Sequence, residues 1–349
     1  MAPRADDADP KRRALLGAAL LGWALPEVVP AAHAQAAQPA APPEGAITVT
    51  LLGTGSPLLD PDRFGPSTLV QAGGLNLLFD AGRGCTIRLN QIHVPLGTID
   101  ALFLTHYHSD HVNGLPDLWM TSYLNGPFAR RTAPFQMHGP TGIARLADTM
   151  HAAFGDDIRI RVADEHVSEP GTKVEPHEFS EAGGTVFGRG GVTVTAFAVN
   201  HGPLIKPAVG YRIDHAGRSV LISGDTKPEE NVIRHGTGVD LLIHEVCAAA
   251  TQLGGLPEVR AVLDHHTSPE QAGQIFAAAK PRLAAYTHIV RLSRPGVPAV
   301  SLPEVEAETR RAYGGPLVIG EDLTRFVVVG DGGGVRVQRW DHARQGYPG

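Results

Sequence analysis

Beyond residue 46 the chain alternates short apolar runs with stretches of helical period. Residues 47–52, 75–80, 101–105, 192–198, 219–223, 241–244 and 283–287 are brief, rich in Val, Ile, Leu or Thr, and bounded by Gly, Asp, Asn or His. That pattern predicts strands. Residues 115–124, 142–154, 269–280 and 303–312 carry apolar side chains at helical spacing, and Ser268 stands as an N-cap before Pro269. A late pair, 325–329 and 335–339, flanks Asp331-Gly332-Gly333-Gly334 and predicts a hairpin. Strands and helices interleave throughout, without a 20–50-residue repeat, so the pattern predicts an α/β layered fold.

Composition adds a loop-rich scaffold, with 41 glycines and 28 prolines among 349 residues. It also separates the N-terminus from the rest. Lys11, Arg12 and Arg13 precede an apolar run over 14–25 that Pro26 and Glu27 interrupt, too short to span a bilayer. Ala32-His33-Ala34 supplies small residues at cleavage positions, so 1–34 reads as an export signal cut near Ala34. Arg12-Arg13 before Ala14-Leu15-Leu16 resembles a twin-arginine signal, although Lys11 stands where Ser or Thr is more usual, and general secretion stays open. Residues 35–45 form an Ala/Pro linker, and 46–349 are expected to fold as a single periplasmic domain without membrane attachment. In that compartment Cys85 and Cys247 are permitted to form a disulfide. The net charge is −6, and no basic stripe is visible. A long polyanion is therefore a disfavoured partner, while a homo-oligomer stays open.

The candidate chemistry stands at strand ends. After 101–105 comes His106-Tyr107-His108-Ser109-Asp110-His111, four potential metal ligands within six residues. His106 and His108 can converge on one ion if the segment is extended, while Asp110 and His111 turn toward a neighbouring ion. Lone histidines such as His93, His151, His166, His177, His235 and His342 read instead as surface or core side chains. Further donors follow later strands: His201, Asp225 in Ser223-Gly224-Asp225-Thr226, and His288. Five histidines and two aspartates are enough for two four-coordinate ions if a carboxylate and a water bridge them.

The ordered set, from Phe79-Asp80-Ala81-Gly82 through HxHxDH, His201, the GDT aspartate and His288, resembles the metallo-β-lactamase superfamily. The resemblance covers most of the chain beyond the signal. It implies an αββα sandwich of two packed mixed β-sheets flanked by helices. It also implies two zinc ions, one held by His106, His108 and His201, the other by Asp110, His111 and His288, with Asp225 bridging. Iron or manganese would suit the same donors. Asp80 would support the metal loop without binding metal. A metal-bridging hydroxide would be the nucleophile.

The branch of the superfamily is read from finer motifs. A bridging Asp225 departs from the zinc β-lactamases with a cysteine ligand, and Cys247 is not placed to replace it. His244-Glu245 and His266-Thr267 resemble the ribonuclease Z and arylsulfatase branch. There His266 would donate a proton to the leaving oxygen and Glu245 would orient it, completing a catalytic set with Asp110. Ribonuclease Z relatives usually insert a long arm between the equivalents of His201 and Asp225 to grip tRNA, and that interval is short here. Asp62-Arg63-Phe64-Gly65-Pro66-Ser67-Thr68, His201-Gly202-Pro203 and Gly210-Tyr211-Arg212 resemble an exported arylsulfatase-like subgroup. The sequence therefore leads to a small-molecule ester as substrate, an aryl sulfate or phosphodiester, with nucleic acid unlikely. Ribonuclease Z-like tRNA 3′ processing is the second reading. A metal-binding protein without turnover is the third.

Overall fold

Parallel strands covered on both faces need continuous apolar runs, and antiparallel ones tolerate alternation. Both kinds are present in the structure, a computed structural model that describes residues 43–330 and 334–348. The expected export signal lies outside the described residues, as do most of the linker and Asp331-Gly332-Gly333 of the hairpin turn. Strands β1 (Ile47–Gly53), β2 (Ser67–Ala72), β3 (Leu75–Phe79), β4 (Ala101–Phe103), β5 (Phe135–Pro140) and β6 (Val174–Phe179) belong to one sheet. Strands β7 (Gly184–Arg189), β8 (Val192–Ala198), β9 (Val209–His215), β10 (Arg218–Ile222), β11 (Leu241–Ala249), β12 (Leu283–Leu292) and β13 (Leu317–Ile319) form a second. Strands β14 (Arg325–Val328) and β15 (Val335–Gln338) pair antiparallel as the expected hairpin and return to the first sheet, on β1.

The first sheet runs in the order β15-β14-β1-β2-β3-β4-β5-β6, and the second β13-β12-β11-β10-β9-β8-β7. Pairing is parallel from β3 to β6 and from β10 to β13, and antiparallel elsewhere, so both sheets are mixed. Their facing sides share one apolar layer that includes Val49, Leu77 and Phe103 from the first sheet and Val194, Tyr211 and Ile243 from the second. Helices Cys85–Gln91, Leu115–Ser122 and Ile143–Ala153 cover the outer face of the first sheet. Helices Glu230–Gly236, Pro269–Ala279 and Leu302–Arg310 cover the second. This is the expected αββα sandwich.

The predicted strands and helices are present, but three inner strands, β2, β5 and β9, were not foreseen. Ser268 caps Pro269–Ala279 through a reciprocal box with Gln271. Trp119 and Tyr123, at helical spacing, are core side chains, with the Trp119 indole N–H donating to the Thr172 carbonyl at 3.0 Å. The 241–244 prediction is too short, since β11 continues to Ala249 beside the equally buried β12. Cys85 lies in the outer layer of the first sheet and Cys247 on β11, and both are free thiols. Burial pushes the Cys85 thiol up to about 12.

A buried polar knot fixes the loop after β1. Asp322 accepts from the Thr54 N–H and hydroxyl, both at 2.9 Å, from the Phe64 N–H at 2.8 Å, and from Arg88 at 3.0 Å. Arg63 donates to the Thr54 hydroxyl and the Gly320 carbonyl at 2.6 and 2.7 Å. A Cβ on Gly53 would lie 1.9 Å from the Gly65 carbonyl oxygen, so the two arms of this loop touch backbone to backbone. Removing one partner of a buried charge pair leaves the other uncompensated. Asp322→Ala is therefore expected to lower stability by about 3–5 kcal/mol, measured as a lower urea midpoint. An unchanged midpoint would show that Arg88 and Arg63 find other partners.

Candidate metal centre

Strands β3 and β4 are parallel neighbours, so their C-terminal ends lie side by side. Asp80 follows β3 with φ +57°, a left-handed conformation uncommon outside glycine but more accessible to Asp than to most side chains. Its carboxylate accepts from the Thr105 N–H at 2.8 Å and from the Thr105 hydroxyl at 2.9 Å, which ties the two strand ends together. The chain is extended at His108 and closes into a helical turn at Ser109–Val112, where Asp110 and His111 are buried. The Tyr107 hydroxyl donates to the Pro140 carbonyl and anchors the segment to the end of β5.

The second sheet supplies the opposite half. His201 follows β8, and Asp225 follows β10. Between β11 and β12 the register slips, so Glu245 opposes both Thr287 and His288. Such a bulge re-aims side chains beside functional sites. His288, with φ +41°, sits on the bulged strand.

The donors meet in two overlapping groups. His106 Nε2 and His201 Nε2 lie 3.0 and 3.2 Å from His108 Nδ1. His288 Nε2 lies 3.2 Å from Asp110 Oδ2, and His111 Nε2 lies 3.6 Å from the same oxygen. One oxygen, Asp225 Oδ2, stands between the groups. It is 3.9 and 3.7 Å from His106 and His201, and 3.3 and 3.2 Å from His111 and His288. All seven expected donors are thus brought together, and Asp225 occupies the shared position. His108 is exposed and marks the mouth; the other six are buried.

The residues fit a cation. His201 Nδ1 faces the His265 carbonyl at 2.9 Å and His111 Nδ1 faces Asp80 at 2.8 Å, acceptors that place the proton on Nδ1 and leave Nε2 a lone pair. The buried His111 Nε2 has no hydrogen-bond partner. Lone pairs gathered around carboxylates repel one another unless positive charge lies between them. Burial, reinforced by His111, pushes His106 well below the usual histidine range, and burial pulls His201 down to about 4. Burial also opposes charge on His111, yet Asp225 and Asp80 outweigh it and raise that pKa well above the usual value. The same pull for positive charge favours a divalent metal.

Beside the donors, Glu245 Oε1 accepts from His266 Nδ1 at 3.1 Å and from the N–H groups of Thr226 and Thr267 at 3.2 and 3.1 Å. Burial disfavours the imidazolium of His266, but Glu245 more than compensates and raises its pKa to about 9. The ring stacks on His288, centroids 5.5 Å apart, and so stands at the edge of the donor cluster. The supporting roles of Thr105 and the His265 carbonyl were not foreseen. A backbone carbonyl leaves no mark in sequence.

A family model described as a beta-lactamase superfamily domain matches residues 75–289. A ribonuclease Z of Mycobacterium marinum is 37% identical over 284 residues, 81% of this chain and 99% of the relative. A ribonuclease Z of Mycolicibacterium gilvum is 37% identical over 286 residues, covering 81% and 96%. Two solved structures share the fold. The metallo-beta-lactamase fold protein YhfI of Bacillus subtilis has a TM-score of 0.61 at 19% identity, covering 81% of this chain and 99% of that one. The short form of human tRNase Z has a TM-score of 0.58 at 22% identity, covering 80% and 98%.

These relatives overturn the expectation of a small ester substrate with nucleic acid unlikely. Proteins named as ribonucleases align over almost their own whole length with 81% of this chain, so the M. marinum relative has no room for a long arm that this chain lacks. A short interval between His201 and Asp225 is therefore no argument against RNA. Net charge misled for a different reason: it sums the whole surface, whereas metal ions in a cleft can meet phosphate charge locally. The aryl sulfate reading is left without support among these relatives. With 215 consecutive residues matched by the family model and the two-sheet architecture in place, the chain belongs to the metallo-β-lactamase superfamily of metal-dependent hydrolases.

Proposed function

We propose that the protein is a phosphodiesterase of the ribonuclease Z type, cleaving precursor tRNA at its 3′ end. The observation that carries this reading is 37% identity along 99% of a ribonuclease Z, in a chain whose seven donors stand beside a Glu245–His266 pair. We assign His106, His108, His201 and Asp225 to one zinc ion. Asp110, His111, His288 and the same Asp225 are assigned to a second. Iron or manganese would suit these donors as well. When bound, the ions supply Lewis-acid charge and acidify a water.

The chain's own residues do the rest. Buried walls around six of the seven donors limit the competing water. Glu245, held by two backbone N–H groups, keeps the His266 imidazolium oriented, and His266 gives its proton to the departing oxygen. Asp110 joins the catalytic set as a ligand. The test is a precursor tRNA with a 3′ trailer, incubated with the full chain. Cleavage at the trailer junction, lost on chelation and restored by zinc, is the expected result. Intact precursor beside rapid hydrolysis of an unrelated ester would end this reading.

A further inference from the structure

Each buried ligand ring of a metal site has a second nitrogen, and a metal-bound histidine nearly always donates that N–H to an acceptor. Three rings here are served: His106 Nδ1 by the Thr105 hydroxyl at 3.0 Å, His111 by Asp80 at 2.8 Å, and His201 by the His265 carbonyl at 2.9 Å. His288 differs. Its Nε2 faces Asp110 and Asp225, and its Nδ1 is buried without a hydrogen-bond partner.

The unserved nitrogen is not alone. Glu245 Oε2 and Thr287 Oγ1 are also buried without partners, on residues only 1% and 8% exposed. All three residues line one small cavity together with Ser67, Asp80, His111 and Asp225, whereas His106, His108, Asp110 and His201 do not. The cavity therefore lies at the floor of the donor cluster and not at its mouth. Its volume is about 20 Å³, and a single water needs at least about 10–15 Å³. The chemistry of the three groups is complementary through one water. Imidazole N–H only donates, carboxylate only accepts, and a hydroxyl does either. One water can accept from His288, donate to Glu245 and pair with Thr287, the usual complement of about three bonds for an internal water.

We propose that this cavity holds one ordered water joining His288, Thr287 and Glu245, and that Thr287 is thereby a positioning residue for the second metal site. The inference rests on the assignment of His288 as a ligand. It connects that ligand to the carboxylate that orients His266, so the metal site and the proton donor share one hydrogen-bonded floor.

The test uses the full chain, zinc titrated against a chromophoric chelator, and a high-resolution crystal structure with zinc. Thr287→Val keeps the shape and loses the hydroxyl, and it should weaken one of two zinc affinities by about 10–100-fold. Thr287→Ser should bind nearly as wild type. A role in packing alone reverses that order, because serine lacks the methyl group that valine retains. Electron density for a water within hydrogen-bond distance of all three atoms is the second expected result. Valine binding zinc like wild type, serine weaker than valine, or a dry cavity would each overturn the proposal. If the valine variant does not fold, the wild-type density decides alone. If the wild-type chain takes up no zinc, the ligand assignment fails, and density in the metal-free crystal still judges the water.

Discussion

Asp225→Ala is expected to disturb both metal sites at once and to cost at least about 10³-fold in kcat/KM. The reason is geometric: a single oxygen, Asp225 Oδ2, lies between 3.2 and 3.9 Å from four imidazole nitrogens divided between the two groups. Removing it takes a negative charge from the centre of the cluster and leaves the two groups unconnected. Charge stabilisation by metal ions supplies several kcal/mol to a hydrolytic transition state, and about 1.4 kcal/mol corresponds to tenfold in rate. Metal content of the purified variant should fall well below two per chain. Full activity with two ions retained would sink the bridging assignment.

His266→Ala should spare metal content yet slow turnover by about 10²–10⁴-fold when the leaving group needs a proton. The side chain hydrogen-bonds Glu245, stacks on His288 and packs edge-on against His201, ring contacts that do not themselves hold the donor atoms in place. A ribose oxygen departs poorly as an alkoxide, whereas nitrophenolate leaves readily without help. The loss should therefore be large for RNA and small for a nitrophenyl phosphodiester, comparing kcat/KM for both substrates in wild type and variant. Equal losses would make His266 a substrate-positioning or supporting side chain. A fall in bound metal would move it among the ligands, since Asp225, His266 and His288 do lie close enough together to share an ion.

What the sequence made legible follows only partly from burial: β2, β5 and β9 lie inside the sheets and are mostly buried, yet STLVQA, FQMHGP and VGYRIDH mix polar residues, glycine or proline with apolar ones and do not stand out as strands. Strands β8 and β12 sit inside the second sheet, and their runs of Val, Thr, Ala and Leu stand out. Strands β6, β7 and β13 are edges, where polar residues, glycine or proline cost little, and VEPHEF or GTVFGR does not announce itself as a strand. The cluster of candidate donors was legible because dense histidine and aspartate at strand ends has few structural uses. The pairing of Glu245 with His266 was suggested by motif and is met in space at 3.1 Å. The bulge at Thr287–His288 and the left-handed Asp80 were not legible, because backbone conformation at one residue is settled by tertiary contacts. The ranking of nucleic acid as an unlikely partner failed for a related reason. Net charge averages over a surface, and recognition is local.

Each donor group draws on both sheets: His106 and His108 with His201 in one, Asp110 and His111 with His288 in the other. Asp110 and His288 are 178 positions apart in the chain, yet their side chains meet at 3.2 Å. A bound ion therefore acts as a removable cross-link between the two halves of the sandwich, closing a long loop that costs entropy to close. Ligand that binds only the folded chain stabilises it by mass action, about 4 kcal/mol at a thousand times its Kd. Thermal resistance of this protein should thus rise with free metal even where every site is already filled, and resistance to proteolysis should report the metal status of its surroundings.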